Sequence, residues 1–86
     1  MKEPDPVIFR REILGIVQNQ LTANDPPETK ATLDRLLAEG IAEDEAMKMI
    51  ACAVSTEVFN ILKYQEVFDK ERYVKNLKKL PQLPWE

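Results

Sequence analysis

The sequence predicts an all-α fold, a four-helix compact bundle packed around a central third helix, with helices over 6–23, 26–39, 43–64 and 70–80. Three observations predict it. Apolar residues recur through most of the chain with the period of a helix that buries one side. Only two glycines occur, too few for the turns of a β architecture. Clusters of proline, aspartate and glycine fall between the periodic segments, where helix ends are expected. With 86 residues, of which 44% are hydrophobic and 31% charged, the chain is expected to form one domain over 1–86. A polar lead-in at 1–5 and an extended tail at 81–86 would flank it.

In the first helix Asp5 is placed to cap the end, with Pro6 at the first helical position. Phe9, Ile13, Leu14, Ile16, Val17 and Leu21 then fall in one broad arc with Gln20 inside it, so the Gln20 amide is expected to bond to a neighbouring helix or loop. The run Asn24-Asp25-Pro26-Pro27-Glu28 punctuates the chain. It predicts Asp25 as N-cap, Pro26 at the first helical position and Glu28 closing a variant capping box. The second helix carries a narrow stripe of Leu33, Leu36 and Leu37 with Thr29 at its edge, and Lys30, Asp34, Arg35 and Glu39 facing outward. Gly40 is placed to end it in the left-handed conformation.

The third helix opens with Glu43, Asp44 and Glu45 and closes near Lys63, the charge order that the helix dipole favours. Asp44 and Lys48 have the spacing of a supporting ion pair. Met47, Ile50, Val54, Val58 and Ile61 make its main stripe, with Ala51 and Leu62 beside it, while Met49, Cys52, Ala53 and Phe59 lie around the back. A helix hydrophobic on nearly all sides is usually enclosed. Either the other helices surround it or its back faces a second copy of the chain. After Gln65 and Glu66, Asp69 reads as the N-cap of a last helix and Phe68 as a staple onto Tyr73. Tyr73, Val74, Leu77 and Leu80 are its expected buried side, Lys75, Lys78 and Lys79 its outer one. Pro81 ends it.

The order of signals, QNQL before the DPPE turn, then RLLAEG, an EA pair opening the long helix, a late glutamate and FDKERYVKNLKKLP, resembles small bacterial proteins classed as domain of unknown function 1841. The resemblance spans roughly Val7 to Pro81. It implies an all-helical domain and no activity. Members of that pattern carry histidines in the first helix and after the EA pair, where this chain has Arg10, Leu14 and Lys48. A metal or acid/base role resting on those histidines therefore does not carry over.

Catalysis has little to work with. No histidine and one cysteine leave no Cys-His or Ser-His arrangement and no ordinary zinc ligand set, and neither an EF-hand-like loop nor a glycine-rich phosphate loop is present. The chain is expected to be no enzyme and to need no cofactor or metal. Glu57 stands on the shoulder of the main stripe between Ile50, Ala53, Ile61 and Tyr64, where a carboxylate needs a partner. Arg10, Arg11, Gln20, Tyr64 and Tyr73 are the expected candidates, so Gln20 and Glu57 are read as members of a buried polar network. Cys52 is read as a small packed hydrophobe, and Met47 and Met49 as core fillers.

Twelve basic against fifteen acidic residues give a net charge of -3, which makes nucleic acid an unexpected partner. The start MKEPDP has no signal-like apolar stretch, and no run of about 18 apolar residues suits a membrane span, so a cytoplasmic protein is expected, in keeping with a lone cysteine. The expected function is a non-catalytic protein-protein interaction module or homodimer, with Met49, Cys52 and Phe59 on the back of the long helix and Leu83 and Trp85 in the tail as partner-binding residues. Leu83 and Trp85, in a PxxP-spaced segment, would dock on another protein or fold back over the domain's own core. The alternative is a nucleic-acid-associated helical protein using Arg10, Arg11 and the lysines of the last helix. An enzyme acting through Glu57 ranks third.

Overall fold

A computed structural model describes the backbone of residues 6–84 and the side chains of residues 10–84. The expected cap at Asp5, the place of Phe9 in the first helix's arc and the side chain of Trp85 lie outside the described residues. The chain is all-helical: α1 (Pro6–Ala23), α2 (Pro27–Ala38), α3 (Glu43–Tyr64) and α4 (Lys70–Lys79). α3 packs against each of the other three helices. α2 also packs against the other three, whereas α1 and α4 meet through long side chains, Gln20 and Tyr73, without close approach of their backbones.

Local chemistry fixes the helix ends. α1 stops with Asn24 in the left-handed region at φ 51°, and the amides of Asn24 and Asp25 donate back to the carbonyls of Leu21 and Gln20. α2 stops in the same way at Gly40, φ 89°, with Gly40 N–H donating to Leu37 and Ile41 N–H to Leu36. Ile41 then packs on the core that contains Leu36. The start of α2 departs from expectation. Pro26, not Asp25, is the N-cap, with φ -72° and ψ 149°, and no side chain caps it. The reason is steric: a residue that precedes proline is kept out of the helical region, so Pro26 cannot be helical while Pro27 follows it. Glu28 falls in the first turn without closing a capping box, and its Oε1 is buried with no hydrogen-bond partner. At α4 the expectation holds. Asp69 Oδ1 accepts from Arg72 N–H at 3.0 Å, and the Phe68 ring lies 5.7 Å from that of Tyr73.

The core consists of Ile13 and Val17 from α1, Leu36 from α2, Ala46, Ile50, Ala53 and Val54 from α3, Tyr73 and Leu77 from α4, and Leu80 just beyond it. The buried side of α3 is therefore rotated from the expected stripe toward its small residues. Ala53, expected around the back, is fully buried, because alanines let α3 approach its neighbours closely. On α2 the buried line runs through Thr29, Thr32 and Leu36, while Leu37 is exposed. Arg35 does not simply face outward: it donates to Glu39 at 2.9 Å and to the Leu77 carbonyl at 3.0 Å, tying α2 to the end of α4. Lys48 pairs with Glu45 instead of Asp44, at 3.5 Å.

Candidate functional site

Two polar clusters sit within the apolar interior, and they are separate. In the first, the Gln20 side-chain oxygen accepts from the Thr29 hydroxyl at 2.8 Å and from the Tyr73 hydroxyl at 2.7 Å. The two hydroxyl oxygens are 3.3 Å apart. Residues from α1, α2 and α4 thus meet at one acceptor, which is how a phenol and a threonine can both be buried without cost of an unmade bond. Burial pushes the Tyr73 hydroxyl above its ordinary pKa, against the opposing effect of its bonds to Thr29 and Gln20.

The second cluster is centred on Glu57, which is buried as its sequence position required. Its partner is none of the expected candidates. Arg72, from the first turn of α4, donates from Nε to Glu57 Oε2 at 2.7 Å and from one terminal nitrogen to Oε1 at 3.1 Å. The Asp69 amide adds a third donor at 3.1 Å, and Arg72 also reaches Glu66 at 3.2 Å. The two-pronged geometry is the strong form of such a pair. Hydrogen bonding to Glu57 drives the Arg72 pKa still higher than its already high ordinary value. Gln20 takes no part here, so the single network expected of Gln20 and Glu57 is two clusters.

Of the predicted partner-binding residues, the four that are described differ in burial. Met49 is half-buried and packs on the core, and so does Leu83, which folds back onto its own domain. The tail is also not simply extended, since Gln82 N–H donates to the Lys79 carbonyl and makes a turn. Cys52 is half-buried in a groove between α1 and α3, and burial raises its thiol pKa, away from a reactive thiolate. Phe59 is 54% exposed.

Most of the exposed large apolar side chains among the described residues fall at the end of α3 and in the connection after it. α3 has 22 residues against 12 in α2 and 10 in α4; Val58 still packs on the core, whereas Leu62 to Tyr64 at the end of the helix are exposed. Leu62 is 59% exposed there, Tyr64 57%, and in the connection to α4 Val67 is 85% and Phe68 46% exposed. Periodicity puts Ile61 and Tyr64 on the same side of α3 as Glu57, and Phe59 and Leu62 on the other. The Lys63 ammonium sits 5.2 Å from the Phe59 ring centre and 5.5 Å from that of Tyr64, a cation shared by two aromatic faces. Sequence reasoning found Phe59 but placed Leu62 beside the main stripe and gave no role to Val67.

The lysines of α4 do not gather into a uniform basic face. Lys70, Lys75 and Lys78 line a depression together with Glu28 and Glu71, while Arg10 lines the α1–α3 groove. Among the described residues no group of three or more cysteine, aspartate or glutamate side chains is arranged to hold a metal ion, and no helix is long and apolar enough to cross a membrane. Comparison of the chain with models of known protein families, with curated proteins and with solved structures finds no match.

Proposed function

We propose that the protein is a non-catalytic helical interaction module of the cytoplasm that pairs with a second copy of itself through the end of α3. The observation that carries this reading is the concentration of exposed apolar side chains at the end of α3, Phe59 and Leu62 on one side and Tyr64 on the other, with Val67 and Phe68 in the connection that follows. Together their exposed fractions amount to roughly 500 Å² of largely apolar surface, distributed around the end of the helix. A standard interface takes about 800 Å² from each partner, so a partner that wraps the end of α3 draws the centre of its contact from these residues. The rim supplies the remainder with both signs of charge, Lys63 on one side and Glu66 on the other, which suits a surface meeting its own copy. A self-pairing of this size is weak and reversible.

Sedimentation across the micromolar range tests it: the mass rises from monomer toward dimer, and Leu62→Asp holds it at monomer. Leu62 is exposed, so the substitution leaves the melting temperature within a few degrees of wild type. A monomer at every concentration overturns the reading.

A further inference from the structure

The groove between α1 and α3 differs in kind from two other depressions, one beside α4 and one at 66–72. It has a volume of about 370 Å³, within the range of small-ligand sites. Ile13 is buried and Leu14, Ala51 and Cys52 half-buried, so these four make an apolar floor. The exposed side chains of Arg10 and Lys48 stand at its edges. Ser55 also lines it, but its hydroxyl already donates to the Ala51 carbonyl at 2.9 Å, so the floor asks for no polar partner. The depression beside α4 mixes Lys70, Lys75 and Lys78 with Glu28 and Glu71, and that at 66–72 mixes Lys70 and Arg72 with three carboxylates. Of these three depressions, the α1–α3 groove alone joins an apolar floor to lining cations with no acid among its described lining residues.

Apolar floor and cationic edges together specify a ligand with an apolar body and an anionic head. We propose that this groove binds a free single-chain carboxylate amphiphile, its head held by Arg10 and Lys48 and its tail lying on Ile13, Leu14, Ala51 and Cys52. The Lys48 ammonium is 3.5 Å from Glu45, but both are exposed, and an exposed pair of this kind is worth little, so the ammonium is free to turn to a ligand. A free molecule fits better than an anionic bilayer because the whole chain carries a net charge of -3, which a negatively charged membrane surface repels.

The groove contains its own reporter in Cys52, the chain's only cysteine. Octanoate, with octanol and octylammonium as neutral and cationic counterparts, is titrated into the full chain at low protein concentration. Heat of binding and the rate of Cys52 alkylation by N-ethylmaleimide are both read. Octanoate is expected to saturate with a dissociation constant on the order of a millimolar, as its size allows, and to slow alkylation at saturation. Arg10→Gln and Lys48→Gln each weaken octanoate by about fivefold, the scale of an exposed ion pair, and leave octanol unchanged. Leu62→Asp, at the separate apolar end of α3, leaves octanoate binding unchanged. Equal binding of all three compounds, saturation that leaves the alkylation rate unaltered, or no saturation by octanoate in the millimolar range overturns the proposal.

Discussion

Tyr73 is the residue on which three helices converge, and its phenol gives the fold a dependence on alkaline pH. Burial holds its proton more tightly in the folded chain than in the unfolded one, where tyrosine titrates near about 10. The neutral phenol's contribution is therefore intact below that pH and is lost as pH rises through the higher folded value. Chemical denaturation between about pH 8 and pH 12 is expected to show a midpoint that falls above pH 10. Tyr73→Phe lowers stability at neutral pH by about 1 kcal/mol, the worth of one hydroxyl hydrogen bond, and makes the alkaline fall shallower. Burial raises the Cys52 pKa too and gives a loss of the same sign from a lower pH, so the comparison belongs in a Cys52→Ala background. Glu57 and Arg72 call for a different experiment. Arg72→Met alone strands a buried carboxylate with the Asp69 amide as its remaining donor and is expected to lower the melting temperature clearly. Glu57→Leu with Arg72→Met removes both charges and is expected to recover most of the loss. Thermal melts of the two variants check it, and a double variant no more stable than Arg72→Met would show that the pair contributes more than its own desolvation costs.

At the scale of the element, what could be read from the chain was what the chain decides locally. Asp69, Phe68 and Gly40 act within a few residues of themselves, and the ends of α2 and α4 fall where those residues put them. The start of α2 was misplaced by one residue because two adjacent prolines offer two registers, and only the restriction on a residue before proline chooses between them. The rotation of α3 was harder to see. Hydrophobic periodicity weighs Met47 and Val58 above Ala46 and Ala53, yet the smaller residues are the ones fully buried, since helix separation is set by what fits between the axes. Thr32 was overlooked for the related reason that a hydroxyl counts as polar in any pattern, while its methyl group packs. The partner of Glu57 could not be named at all. Arg72 lies on another helix, brought back by a turn in which Gln65 takes the left-handed conformation at φ 56°, and nothing in the local sequence marks that residue as glycine would.

For the molecule as a whole, the four-helix class was legible because composition, periodicity and punctuation agreed. The place where they disagreed, an α3 too apolar on too many sides, is where the fold leaves its end uncovered. The connection between α3 and α4 has a further consequence. Residues 65–69 are exposed throughout, whereas Tyr73, Leu77 and Leu80 beyond them are buried. The peptide link there mainly supplies effective concentration, on the order of millimolar for a short tether. A single proteolytic cut in 65–69 should therefore leave the last helix seated as a separate fragment, turning an intramolecular contact into a bimolecular one. The nicked Leu62→Asp protein is expected to melt at a temperature that rises with its concentration, while the intact chain with Leu62→Asp melts at one temperature regardless. Melting both over a hundredfold range of dilution, about the span needed to move a bimolecular transition, measures how tightly one fragment holds the other.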